Sequence, residues 1–364
     1  MEFFNLKSNL KIVAGPCSAE SSDQVLRTAE SLHSINPDIV FRAGIWKPRS
    51  RPGAFKGVGT EGLQWLMEVQ NRIGLTVATE VAEPEHVESV VNAGIKIVWI
   101  GARTASNPFS IQKLADALSG SGLSVMIKNP QYPDVDLWTG NIERILNCGI
   151  SDVAAIHRGF YPFEKSALRN TPRWEVPIEL KRRMPELLMI CDPSHIAGKR
   201  QYIKDIAQRA LDLNFDGLMI ETHYKPSIAL SDKNQQLNIE DFSKLISELK
   251  WRDYVAADEA FKQQLDDIRE KIDVIDFQLL ELLAHRMRYV KEIGLHKKQH
   301  NVSVLQLKRW GRILESRLEQ ARQDGLSEHF VKQLLELIHK ESIRNQTDIF
   351  KGRESIGDNK IENE

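Results

Sequence analysis

"IKIVWIGARTASNPFSIQKLADALSGSGLSVMIKNP" runs from Ile95 to Pro130 and holds two apolar runs separated by a helix-like segment. In "IKIVWIG" and "LSVMIKN" the apolar residues are nearly continuous rather than alternating. A parallel strand buried on both faces reads this way. The unit recurs along the chain. "LKIVAGPC", "DIVFRAG", "LTVATEV", "DVAAIHRG", "LLMICDPS" and "GLMIETHY" bring the strand candidates to eight before about residue 252. Each is followed by a helix-like segment such as "TEGLQWLMEVQNRIG" or "QYIKDIAQRALDLN". Eight β/α units in roughly 240 residues predict an α/β chain with a (β/α)8 TIM barrel, a doubly wound open sheet being the alternative. About nine residues precede the first strand, so no N-terminal accessory domain is expected.

From about residue 257 the rhythm changes. "FKQQLDDIREKIDVIDFQLLELLAHRMRYVKEIGLHKK" has no Pro and a single Gly. Leu265, Ile268, Ile272, Ile275, Leu279, Leu282 and Leu283 form one apolar stripe at helical spacing. Two further helices are expected, from about Leu305 to Gln323 and from Ser327 to Phe350, with "DGLS" turning between them. Three helices are few for a closed core, so an all-α domain that dimerises through the long helix is expected. The chain therefore divides into a barrel (1–252), a linker (253–259), a helical domain (260–350) and a polar, disordered tail (351–364).

The bulk numbers narrow the function classes. The 49 Lys+Arg and 50 Asp+Glu nearly cancel, which offers nothing to nucleic acid. No run approaches the roughly 18 apolar residues of a membrane span, and "MEFFNLKSNLK" lacks signal-peptide character. Three cysteines, Cys17, Cys148 and Cys191, make no disulfide framework, so a reducing cytoplasm is expected. Positive charge is concentrated locally instead: "RAGIWKPRSRPGAFKG" (42–57) carries five cations in a Gly- and Pro-rich stretch unsuited to a helix.

In such a barrel, chemistry-bearing residues come from the C-terminal ends of several strands. Reading those ends gives Cys17, Arg42 with Lys47, Glu80, Arg103, Lys128, His157 with Arg158, Asp192 with His195, and Glu221 with His223; the next loop adds Asp232. Arg42, Lys47, Arg49, Arg103, Lys128 and Arg158 suit phosphate and carboxylate groups. Cys17, His195, Glu221 and Asp232 suit a divalent transition metal. Singly each has a bland reading: a buried small thiol, a turn cap, a solvated loop. Their convergence on one mouth outweighs those readings.

"GPCS", "RAGIWKPRS", "IGAR", "IKNP", "HRG", "CDPSHIAGKR" and "GLMIETHYKPS…ALSDKNQQ" together resemble 3-deoxy-D-arabino-heptulosonate 7-phosphate (DAHP) synthase of the short, bare-barrel type over residues 10 to about 250. The resemblance implies Cys17, His195, Glu221 and Asp232 as ligands of a divalent metal, Mn²⁺ first, with Co²⁺, Fe²⁺ or Zn²⁺ as alternatives. It implies Arg42, Lys47, Arg103, Lys128 and Arg158 as phosphoenolpyruvate contacts, with Lys47 and Lys128 in catalysis. Pro48, Arg49 and Ser50 would face erythrose 4-phosphate, Ser50 standing where the family usually has Thr. A KDO-phosphate synthase is the nearest rival; "KPRS" favours the four-carbon aldehyde.

"LDDIREKIDVID", "LLAHRMRYVKEIGLHKK", "LQLKRW" and "HKESIRNQ" resemble the all-helical chorismate mutases over residues 260–350. The implied site is Arg269, Arg286, Lys297, Arg309, Ser342 and Gln346, with Lys297 and Gln346 catalytic. Arg286 and Lys297 are eleven apart, on one helix face and roughly 16 Å from each other. Arg269 lies roughly 25 Å from Arg286 and about 100° round the helix, so a two-fold dimer would deliver it to the partner's site. Trp310 departs from the family, many members of which carry a substrate-contacting Glu there. A fused enzyme of aromatic amino acid biosynthesis in the shikimate pathway is expected, acting on phosphoenolpyruvate, erythrose 4-phosphate and chorismate, with prephenate as product and feedback inhibitor. The rival reading makes the helical half only a ligand sensor and dimerisation module.

Overall fold

The computed structural model describes residues 11–47, 53, 55–252 and 259–352, in two units, Met1–Tyr254 and Val255–Glu364. Pro48, Arg49 and Ser50, most of the expected linker and most of the expected tail lie outside the described residues.

The first unit is a closed barrel of eight parallel strands: β1 (Lys11–Gly15), β2 (Val40–Arg42), β3 (Val77–Val81), β4 (Ile97–Ile100), β5 (Ser124–Lys128), β6 (Val153–His157), β7 (Leu188–Cys191) and β8 (Gly217–Glu221). β8 closes on β1 with Gly15 opposite Glu221, bringing the first and last strand ends together. The strands are buried on both faces, which explains their nearly continuous apolar runs. Val13, Val40, Ile97, Trp99, Met126, Ile156, Ile190 and Met219 fill the interior. Their strand neighbours, such as Phe41, Val98, Ile127 and Leu218, pack outward against the helix layer. Gly15 at φ 147° permits the tight join: a Cβ there would stand 2.2 Å from the Arg42 carbonyl oxygen.

The second unit has three helices, α1 (Glu259–Gln299), α2 (Leu307–Gln323) and α3 (Glu328–Phe350). α1 takes in Glu259, the last residue of the expected linker, and α2 starts two residues after Leu305. Ser327 caps α3, its hydroxyl accepting from the Phe330 N–H. α1 and α3 approach closely at Gly294, where a Cβ would meet Gln346 Cγ at 3.2 Å and Ile349 Cδ1 at 3.0 Å. Among the described residues much of the apolar stripe of α1 is uncovered: Ile268, Ile275 and Leu282 are 54%, 54% and 65% exposed, while Leu265 and Leu283 are half-buried.

Candidate active site

The rim at the C-terminal ends of the barrel strands gathers two chemically distinct sets. One cleft is lined by Cys17, Lys47, Arg103, Lys128, Arg158, His195 and Asp232, together with Glu80 and Arg169. Arg42 and Glu221 lie beneath it, 1% and 0% exposed. Among the cations Arg42 has the least freedom. Its Nη2 lies 3.4 Å from the Cys17 carbonyl and from Glu221 Oε1, and its guanidinium sits 4.7 Å over the Trp99 ring. Its Nε and Nη1 are buried with no hydrogen-bond partner. Unmet guanidinium donors are expensive to bury, so the pair is suited to an anion's oxygens.

The other cations are tethered more loosely. Lys47 Nζ lies 3.6 Å from Glu80 Oε2, and Arg103 is exposed on the short helix Ala102–Ala105. Arg158 donates to Asn170 Oδ1 at 2.8 Å; burial pulls it down to about 10, still charged at neutral pH. Lys128 is buried, which lowers its pKa, and Asp192 opposes the fall through a 2.8 Å ion pair.

The second set converges where β8 meets β1. Donor atoms of Cys17, Glu221 and Asp232 all lie within 4.8 Å of one another. His195 falls outside that tight group, its Nε2 3.7 Å from Glu221 Oε1. It is presented by the short helix Pro193–Ala197, capped by Asp192, whose Oδ1 accepts from the His195 N–H at 3.0 Å. Asp192 Oδ2 also holds His195 Nδ1 at 2.8 Å, turning Nε2 toward the cluster. Asp232 adopts the left-handed region (φ 46°), a conformation uncommon for a non-glycine residue.

The donor set fits a divalent transition metal. Glu221 Oε1 is buried without a hydrogen-bond partner. Burial, with Glu221 beside it, pushes the Cys17 thiol up to about 12, so the thiolate would form here only if a bound cation displaced the proton. Burial works against the Asp232 carboxylate, but Arg169 at 3.0 Å holds it well below the usual range and keeps it an anion.

In the helical unit, Arg286 Nη1 donates to Ser342 Oγ at 2.6 Å, and Lys297 Nζ to the Val304 carbonyl at 2.6 Å. Burial lowers the Lys297 pKa, and the nearby Arg309 lowers it further. Gln346 is buried with Oε1 unpartnered. Trp310 stacks on His339, centroids 4.0 Å apart, and Arg286 depresses the His339 pKa after burial does. Arg269 is apart from these: it pairs with Asp266 at 2.9 Å, 68% exposed.

The chain matches the DAHP synthetase I family over residues 7–255. It belongs to that family. Residues 268–347 match chorismate mutase type II, so a DAHP synthase barrel is followed by a helical chorismate mutase domain. A phospho-2-dehydro-3-deoxyheptonate aldolase of Thermotoga maritima is 31% identical over 239 residues, 66% of this chain and 68% of the relative. The crystal structure of a DAHP synthase from that organism superposes with a TM-score of 0.59 at 32% identity, covering 66% and 68% of the two chains. A 2-dehydro-3-deoxyphosphooctonate aldolase of Geobacter is more distant, 27% identical over 66% of this chain and 91% of its own.

Sequence reasoning named Asp192 and Glu80 at strand ends without giving them work. Arg169, Gln235 and Gln236, which partner the cluster, are not among the residues the sequence points to, although both glutamines close the "ALSDKNQQ" segment.

Proposed function

We propose that the barrel condenses phosphoenolpyruvate with erythrose 4-phosphate at a divalent metal: the enol carbon bonds to the aldehyde carbon, a water adds to the neighbouring carbon that bears the phosphate, and that phosphate leaves, giving DAHP and inorganic phosphate. The observation that carries this is the tight Cys17–Glu221–Asp232 group beside Arg42, whose buried donors lack partners. Arg42, Lys47, Arg103, Lys128 and Arg158 would bind the carboxylate and phosphate of phosphoenolpyruvate and orient its enol carbon toward the aldehyde. Pro48, Arg49 and Ser50 would take erythrose 4-phosphate. Cys17, His195, Glu221 and Asp232 would hold the ion, Mn²⁺ first and Co²⁺, Fe²⁺ or Zn²⁺ as alternatives. Bound there, it supplies Lewis acidity at the aldehyde oxygen. The cations also stabilise the departing phosphate. Exhaustive chelation should abolish condensation and leave the mutase intact, with Mn²⁺ restoring the former. Full synthase activity in metal-free protein would refute this reading.

The helical domain would rearrange chorismate to prephenate in a homodimer formed through the uncovered stripe of α1. Arg286, Lys297, Arg309 and Ser342 would hold the substrate carboxylates, with Lys297 and Gln346 at the ether oxygen and Arg269 reaching the partner's site. We further propose that prephenate bound there inhibits the barrel, a coupling typically worth roughly 5- to 150-fold in affinity. Inhibition of the full chain by prephenate should be lost in Arg309→Ala; an Arg309→Ala chain still inhibited at the same concentrations would place the sensor elsewhere.

A further inference from the structure

We propose that the consecutive glutamines Gln235 and Gln236 are positioning residues that set the affinity and geometry of the metal centre, one through Glu221 and the other through Cys17. This rests on the reading above that Cys17, His195, Glu221 and Asp232 hold the ion.

The two side chains leave one turn in different directions, and both are buried, at 1% and 0% exposure. Gln235 donates from Nε2 to Glu221 Oε2 at 2.7 Å, while its Oε1 accepts from Arg169 Nη1 at 2.7 Å. Gln236 accepts at Oε1 from the Cys17 N–H at 3.0 Å, and its Nε2 donates to the Ser231 carbonyl at 2.8 Å. Neither amide can be flipped. Reversal would set Gln235 oxygen against a carboxylate and its NH₂ against a guanidinium, and would give Gln236 two mismatched ends.

Three consequences follow from this lacing. Glu221 has Oε2 engaged by Gln235, which orients the carboxylate and leaves Oε1, with no hydrogen-bond partner, as the oxygen it would offer an ion. The donor holding it is a neutral amide, which orients the carboxylate without cancelling the charge a cation needs. Cys17 is fixed through its backbone N–H, leaving Sγ free to face Asp232 Oδ2 at 3.5 Å.

The turn itself carries Asp232, and the Gln235 N–H donates back to the Asp232 carbonyl at 3.1 Å. Arg169 ties the same turn to Asp232 Oδ1, and Arg200 pins it through the Gln236 and Lys233 carbonyls at 2.6 and 2.8 Å. Cys17 and Glu221 are thereby registered on Asp232 by one six-residue turn, 231–236. A ligand's supporting partner typically sets 10- to 100-fold in metal affinity.

The test uses metal-stripped full-length protein and Co²⁺, with affinity measured by competition against a chelating indicator. The Cys17 thiolate-to-metal charge-transfer band is read at saturation. Gln235→Met and Gln236→Met should each weaken Co²⁺ binding about 10- to 100-fold. Only Gln236→Met should also displace or weaken the thiolate band. Gln236→Glu keeps the acceptor that Cys17 uses and should restore the wild-type band. Gln235→Glu loses the donor to Glu221 and should not restore affinity. This Glu pair keeps the side-chain volume and gives the reading if the Met variants fail to fold. Folded variants with wild-type affinity and band would overturn the proposal. A wild-type chain that binds no Co²⁺, or binds it without a thiolate band, would instead refute the metal reading on which it rests.

Discussion

His157 ends β6 one residue before Arg158, points into the helix layer and is fully buried. Its ring sits among Trp174, Phe160, Phe215 and Trp138, at centroid distances of 5.2, 5.7, 6.1 and 6.4 Å. Burial, and then Arg158, pull its pKa from 6.5 down to about 3, with the Pro172 carbonyl and Asp192 offsetting only part. The native protein therefore keeps this ring neutral where the unfolded chain protonates it. Stability from this group is present above pH 6.5 and is lost as pH falls toward 3, because the unfolded state binds the extra proton. At about 1.4 kcal/mol per pH unit, the loss is ~3 kcal/mol between pH 7 and pH 4. His157→Phe removes the titration and suits an aromatic surround. Urea unfolding followed by tryptophan fluorescence is the assay, since six of the seven tryptophans precede residue 253. The wild-type chain should lose ~3 kcal/mol more than His157→Phe over that interval. Parallel loss in the two proteins would mean that His157 is not the neutral buried group described, whatever other groups titrate.

Asp192→Asn removes the carboxylate shared by Lys128 and His195; synthase kcat/KM should fall about 10- to 100-fold while the mutase is unchanged, and a change under threefold would argue against a role for the pair. Arg269→Ala and Lys297→Ala should each be nearly inactive as mutases. Mixed with free subunit exchange, they should recover about a quarter of wild-type activity, since half the dimers carry one intact site. No recovery after confirmed exchange would put Arg269 in its own subunit's site.

What was legible in the sequence follows from the range over which each feature is specified. The eight strands announce themselves because burial on two faces favours apolar residues at successive positions, a property of three to five consecutive residues. Arg42, Lys128 and Glu221 stand out for the same reason: each ends such a run, where an ion needs a reason to be. The support of the cluster has no local signature. Gln236 meets Cys17 across 219 residues of chain, and Arg169 meets Gln235 across 66. Those contacts exist only because β8 closes on β1 and the loop after β6 reaches across the rim. Polar loop residues such as these read as solvated until closure buries them.

The stripe on α1 is the converse case. Its helical period was readable from Leu265 to Leu283, but period says only that an apolar face exists, not what covers it. The single chain leaves Ile268, Ile275 and Leu282 more than half exposed, although Val290 and Gly294 farther along α1 are buried. Among the described residues, full burial on α1 is therefore confined to the stretch where α3 packs, and the first part of the helix, the part that bears Arg269, has no fully buried residue. A second copy covering that stretch would remove its exposed leucines and isoleucines from water and, by the same contact, carry Arg269 toward another chain's Arg286 and Lys297. One interface would then serve both the stability and the completeness of the mutase site, so a substitution such as Ile275→Asp should dissociate the dimer and silence the mutase together. A dimeric, inactive variant, or a monomeric, active one, would separate the two roles and refute the coupling.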